Sequence, residues 1–214
     1  MEFNKTNTFC INLEKSTERW KRMSERFTFF QLQVSRWNAS TPDTLIDTFN
    51  IRSSLEKACA QSHICIWKHM VSNEIPYAFI MEDDIKFHKD WKKILNELNI
   101  NDMDMEWDMI LLNGFRSFRA PHFTWTKIHY QMLTGAYIIS IRGVKKILEH
   151  FKDNYIRSDH MTKWLQIHHH SYSYYPWLIV QEYEDSTLNH HPLVHKKNLE
   201  TEFSKFNYSL EPYI

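Results

Sequence analysis

Three consecutive carboxylates, Glu82, Asp83 and Asp84, follow directly on an apolar run at 78–81. Adjacent acids repel one another, and burying them unpaired is costly. A hard divalent cation relieves that repulsion. Mg²⁺ and Mn²⁺ prefer carboxylate and phosphate oxygens and often take one or two carboxylates plus a substrate phosphate. Alternate residues of an extended chain project to the same side, so Glu82 and Asp84 can reach one ion together. A solvated acidic turn after a strand is the other reading of the same residues.

The carboxylates need an element to present them. The run at 78–81 reads as a strand buried on both faces, as in a parallel sheet. Ligands of open α/β sheets bind beyond the carboxyl ends of such strands. Residues 8–13 form an earlier strand candidate. Ser16 or Thr17 then caps a helix with Trp20, Met23 and Phe27 on one face. Arg19 lies in the first turn of that helix, where positive charge opposes the dipole, so it is either a surface side chain or an anion ligand. A strand is expected at 31–37 and a helix at 54–71. The helix carries Leu55, Cys59, His63, Trp67 and Met70 on one stripe. His63 on that apolar face is a core histidine or a functional one.

Further along, a helix is expected at 88–98, a solvated acidic loop at 101–106 and a strand at 107–112. Residues 115–130 are aromatic and basic without a period, which suggests a binding loop or lid. The strand at 132–140 is interrupted by Gly135, one of only three glycines in the chain, which marks a bulge or a close backbone approach. Helices follow at 144–151 and from Ser158, where Asp159 suits the dipole. His168, His169 and His170 are consecutive and cannot share one helix face, so they make a poor metal site. A last short strand falls at 177–180. This alternation of strands and helices describes one α/β domain with a mostly parallel central sheet flanked by helices.

Composition narrows the function classes. With 26 basic and 26 acidic residues among 214, the chain lacks the charge excess of a nucleic-acid binder. The three cysteines, Cys10, Cys59 and Cys65, have no zinc-motif spacing and read as reduced thiols. Three glycines leave no room for a glycine-rich phosphate loop, so metal and side chains must hold any phosphate. The polar start and the lack of a membrane-length apolar run suggest a cytoplasmic protein, at most peripheral to a membrane, and the few glycines and many Lys, Asn, Ile and Phe residues suggest an AT-rich bacterial or viral genome.

Four segments, in order, resemble glycosyltransferase family 25, the family of bacterial lipooligosaccharide and procollagen galactosyltransferases. They are INLEKSTER at 11–19, ACAQSH at 58–63, EDD at 82–84 and TGAY at 134–137. Weaker echoes occur at 36–39 and 176–186. The chain departs from the family pattern in Ala58 for a glycine, Lys15 for an arginine and Gln61 for a more apolar residue, but keeps its carboxylates.

The resemblance implies a GT-A-like fold over 1–190, followed by a polar tail at 191–214. It also implies inverting transfer of galactose or glucose from a UDP-sugar to a glycan or protein hydroxyl. Glu82 and Asp84 would bind Mn²⁺ or Mg²⁺. Asn12, Leu13 and Arg19 would lie along the nucleotide, and Arg36 and Ala39 would flank the base. Ser62 and His63 would face the donor, and Thr134, Gly135 and Ala136 the sugar and acceptor. Asp159 is the first candidate for the general base and Asp83 the second, with His63 a third that suits donating to the donor phosphate better. Phe115, Phe118, Phe123 and Trp125 would stack on an acceptor sugar or pack the loop. A non-catalytic sugar-nucleotide or glycan-binding module on the same fold is the alternative, and a metal-dependent phosphohydrolase is a third reading.

Overall fold

The structure is a computed structural model that describes residues 1–98, 107–114, 123–128, 131–182, 192–205 and 207–214. The chain opens with β1 (Thr8–Asn12), α1 (Thr17–Phe29) and β2 (Ser35–Asn38). It continues through α2 (Ser54–Ser72), β3 (Tyr77–Glu82), β4 (Ile85–Phe87), α3 (Trp91–Glu97) and β5 (Met109–Leu111). After β6 (Thr124–Lys127) and β7 (Ala136–Ser140) come α4 (Ile141–His150), α5 (Ser158–His168), β8 (Ser171–Tyr175), β9 (Ile179–Gln181) and α6 (Pro192–Ser204).

Seven strands form one sheet in the order β2-β1-β3-β7-β5-β8-β6, and β4 pairs with β9 in a separate ribbon. The pairs β1–β2, β1–β3 and β5–β8 are parallel, whereas β7 and β6 run against their neighbours. Five of the seven strands therefore share one direction, which is the mostly parallel α/β architecture expected of a GT-A-like fold.

Alternation along each strand explains why both faces are covered. Phe9 and Ile11 of β1, Ala78 and Ile80 of β3, and Tyr137 and Ile139 of β7 enter one core, against Ala60, Ile64 and Trp67 of α2 and Met161 and Leu165 of α5. Their neighbours Cys10, Phe79, Met81 and Ile138 enter a second core, against Met23 and Phe27 of α1 and Trp91 of α3. The central strands are accordingly continuous apolar runs, as strands buried on two faces must be.

Three elements depart from the expectations. β8 reads SYSYY, whose tyrosines suit a strand but whose serines offer no apolar face, yet Ser171 and Ser173 are buried at the sheet. β6 falls inside the aromatic segment read as a loop. Its Trp125 packs edge-on against Tyr174, 5.4 Å between ring centres, and donates from Nε1 to the Ile94 carbonyl. Phe123 is exposed. Phe115 and Phe118, the acidic loop at 101–106 and the echo at 183–186 lie outside the described residues. The polar tail contains α6, and Leu199, Phe203 and Tyr213 form a third apolar cluster with Tyr175, Trp177 and Val180. Among the described residues no helix is long and apolar enough to cross a membrane.

Candidate active site

Because β1, β2 and β3 are parallel, their carboxyl ends meet at one edge of the sheet. The antiparallel β7 brings its amino end to the same edge, where Glu82 N donates to the Gly135 carbonyl at 2.8 Å. A cleft of about 720 Å³ opens there. Leu13, Arg19, Ala39, Ser62, His63, Glu82, Asp83, Asp84, Thr134 and Asp159 all line it. Asn12, Arg36, Gly135 and Ala136 stand behind its wall.

The three acids point in different directions. Glu82 follows Ile80 by two residues and so projects from the face that α2 covers, where its Oε1 meets His63 Nε2 at 3.2 Å. Asp83 projects to the α1 side. Its Oδ2 accepts from Asn12 Nδ2 at 2.5 Å and its Oδ1 from Arg19 Nη1 at 2.7 Å. Asn12 is itself held by Arg36, whose Nε donates to Asn12 Oδ1 at 2.8 Å and whose Nη2 reaches the carbonyls of Leu13 and Glu14. The chain Arg36–Asn12–Asp83–Arg19 thus locks the rear of the cleft. Asp84 lies 3.9 Å from Arg19 Nη2.

Glu82 and Asp84 do not lie on one extended strand, contrary to expectation. β3 ends at Glu82, and Asp83 and Asp84 form the turn into β4. The two carboxylates still converge, because Gln181 Nε2 donates to Glu82 Oε2 at 3.3 Å and to Asp84 Oδ1 at 3.4 Å. Burial and the charge of Glu82 push the Asp84 carboxyl up to about 8, against the pull of Arg19. Burial likewise raises Asp83, with Arg19 and Asn12 opposing. Two hard oxygen donors, crowded enough that one resists ionising, are the donor set a divalent cation such as Mn²⁺ or Mg²⁺ suits.

His63 is fully buried, and both its ring nitrogens are engaged. Trp67 Nε1 donates to the Tyr137 hydroxyl at 3.0 Å, and that hydroxyl lies 2.9 Å from His63 Nδ1. In the neutral ring the Tyr137 proton goes to Nδ1, so Nε2 carries the hydrogen and donates it to Glu82. His63 is thus a buried core histidine with one ring nitrogen turned to a carboxylate of the cleft. Across the cleft, Thr134 Oγ1 lies 3.4 Å from Glu82 Oε1 and 3.0 Å from Ser158 Oγ. Asp159 follows Ser158 in the first turn of α5. Burial raises its carboxyl above the usual range, and His160 and Arg157 pull the other way.

Gln181 and Tyr137 were not singled out as site residues in the sequence. Gln181 sits inside the segment 176–186 and Tyr137 inside the TGAY segment, but a neutral amide and a strand tyrosine carry no signal of their own. Cys59 also lines the cleft, one helical turn before His63. The consecutive histidines 168–170 do not converge: Trp164 packs against His168 and His169 instead.

Fold and site together define an α/β protein with a carboxylate-lined cleft at the carboxyl edge of a mostly parallel sheet. The chain belongs to glycosyltransferase family 25: the family model, described as glycosyltransferase family 25 (LPS biosynthesis protein), matches residues 5–162. Procollagen galactosyltransferase 2 of Homo sapiens is 28% identical over 102 residues, covering 44% of this chain and 16% of the relative. An inferred glycosyltransferase of Haemophilus influenzae is 27% identical over 165 residues, covering 69% of this chain and 58% of the relative. The chain thus matches less than two thirds of the length of either relative. Among solved structures, a glycosyltransferase involved in the glycosylation of the major capsid of PBCV-1 aligns with 91% of this chain and 98% of its own. Its TM-score is 0.38 and its identity 7%.

Proposed function

We propose that this chain transfers a hexose, galactose or glucose, from a UDP-sugar to a hydroxyl of a glycan or protein, with inversion at the anomeric carbon and in dependence on Mn²⁺ or Mg²⁺. The observation that carries this reading is the convergence of Glu82 and Asp84 on Gln181 in a cleft that also holds Arg19 and Asp159, within a chain of family 25. Glu82 and Asp84 would hold the cation, which when bound neutralises charge on the departing diphosphate.

The chain's own residues supply the rest. Arg19 is fixed by Asp83 at the rear of the cleft and adds a cation facing the anionic donor. Leu13 and Ala39, at the ends of β1 and β2, form the wall for the nucleoside. Asp159 accepts the proton of the acceptor hydroxyl as that oxygen bonds to the anomeric carbon. The bond from that carbon to the diphosphate oxygen breaks, and its electron pair leaves with the nucleoside diphosphate. The raised Asp159 carboxyl makes a stronger base than an ordinary aspartate. Asp83 suits this role less, because both its oxygens already accept hydrogen bonds.

Calorimetric titration with UDP-, GDP- and CMP-sugars, with and without Mn²⁺, tests the reading. One UDP-hexose should bind only with the metal, and Asp84→Asn should abolish that binding while leaving the far-UV spectrum unchanged. A folded protein that binds none of these donors would sink the proposal. Metal-dependent binding without transfer to any acceptor would favour the non-catalytic module.

A further inference from the structure

Cys59, His63 and Glu82 each offer one ligand atom, and the three atoms lie within 4.8 Å of one another. No other group of three such side chains does so among the described residues. The trio follows from the elements: Cys59 and His63 are one turn apart on α2, and Glu82 ends β3 beneath them. His63 Nε2 and Glu82 Oε1 are already 3.2 Å apart, close to the ligand-to-ligand spacing around a small tetrahedral ion. Tyr137 holds the other ring nitrogen, the kind of outer contact that orients a metal-bound imidazole.

We propose that Cys59, His63 and Glu82 form a second cation site, selective for a borderline-soft divalent ion such as Zn²⁺, that shares Glu82 with the Glu82–Asp84 pair. The thiolate and imidazole set the selectivity. Thiolate and imidazole suit zinc and cobalt, whereas Mn²⁺ and Mg²⁺ prefer an all-oxygen shell. Binding releases the Cys59 proton to solvent and moves the imidazole hydrogen from Nε2 to Nδ1, where it is donated to the Tyr137 oxygen. The Tyr137 proton loses its acceptor in that reversal, a loss that only an ion with strong nitrogen and sulfur bonds offsets. The fourth position faces the cleft, as in zinc sites that keep a place open for water or an anion.

The consequence rests on the function proposed above. An ion on Glu82 Oε1 sets a second dication on the carboxylate whose Oε2 turns toward Asp84, so charge repulsion should make zinc antagonise metal-dependent donor binding, by about tenfold.

The site itself is tested without any donor. Co²⁺ titrated into the full chain should give, at one equivalent, a thiolate-to-cobalt charge-transfer band and the intense visible bands of four-coordinate cobalt. Zn²⁺ should displace it and Mn²⁺ should not. The bands should vanish in Cys59→Ser and persist in Cys65→Ser and in Asp84→Asn, each checked for fold by circular dichroism. A folded wild-type protein without the charge-transfer band would overturn the site, as would a band that survives Cys59→Ser or is lost in Asp84→Asn. Because Asp84→Asn retains the cobalt signal while losing the donor, failure of the transferase reading and failure of this site are separable.

Discussion

Asp83 is buried and Asp159 half-buried, and desolvation raises both carboxyls, yet their surroundings give them different tasks. Asp83 engages both oxygens with Asn12 and Arg19, and the Arg19 and Asp83 side chains are only 12% and 8% exposed. Removing one member of such a pair strands the other charge, at a cost of about 3–5 kcal/mol. Arg19→Ala should therefore lower the urea midpoint strongly, whether or not a donor is present. Asp159→Asn should leave the midpoint near wild type, since it removes a carboxylate that burial disfavours. Its effect belongs to kcat, a loss of about 10²–10⁴-fold with donor affinity kept. The pH dependence follows from the same residue. A base must be ionised, and Asp159 ionises above the usual aspartate value of 3.8. The acid limb of kcat/KM should therefore lie above that value, with activity rising as pH rises through it. Equal stability losses in Arg19→Ala and Asp159→Asn would reverse these assignments.

At the scale of elements, the amino end of β7 decides how closely the site can close. A Cβ on Gly135 would sit 2.6 Å from Asn113 Nδ2 and 3.0 Å from Gln181 Cγ. Neither neighbour is free to withdraw. Asn113 is buried and accepts from Ala136 N, and Gln181 ties Glu82 to Asp84. Gly135→Ala should cost about 1–3 kcal/mol in chemical denaturation. It should also weaken metal-dependent donor binding more than a remote substitution of equal cost, such as one in α4. Unchanged donor affinity would mean that the Gln181 contact is not what positions the acids. This close approach was legible in the sequence, because a glycine weakens a strand and a glycine-poor chain places one there only where a side chain would collide. The acid triplet was legible for a related reason: packing supplies no cause for three charges at a strand end. What stayed hidden was the bracing. Asn12 and Arg36 were expected along the nucleotide and base, but their polar atoms reach one another and Asp83 behind the wall. Such pairings join residues 24 and 71 positions apart, and no local pattern encodes them. β8 was missed because its serines look like surface residues until the sheet buries them.

For the whole molecule, the carboxyl-terminal residues act as a strap across the β4–β9 ribbon. Phe87 and Ile214 exchange backbone hydrogen bonds at 2.9 Å in each direction, and Lys89 N donates to the Pro212 carbonyl at 2.9 Å. The strap pairs with β4, whose other partner β9 ends in Gln181, so its docking bears on the site through that ribbon. His88 is the titratable group at this junction. Its Nδ1 accepts from Asp90 N at 3.0 Å, and Tyr208 stacks on its ring while Tyr213 meets it edge-on. Burial lowers its pKa from 6.5, opposed by Asp90 and assisted by Lys89. Between the lowered value and 6.5 the unfolded chain binds more protons than the native one. The contribution of His88 to stability is therefore present above 6.5 and lost as pH falls through the folded value. Protonation also turns Nδ1 from acceptor to donor and breaks the bond from Asp90 N. His88→Asn keeps an acceptor without the titration. The difference in melting temperature between wild type and this variant should shift against wild type as pH falls from 7 toward 5, and amide exchange at Tyr213 and Ile214 should accelerate in wild type alone. A difference that stays constant over that range would detach His88 from the strap and leave the apolar cluster of Phe203 and Tyr213 as what holds it.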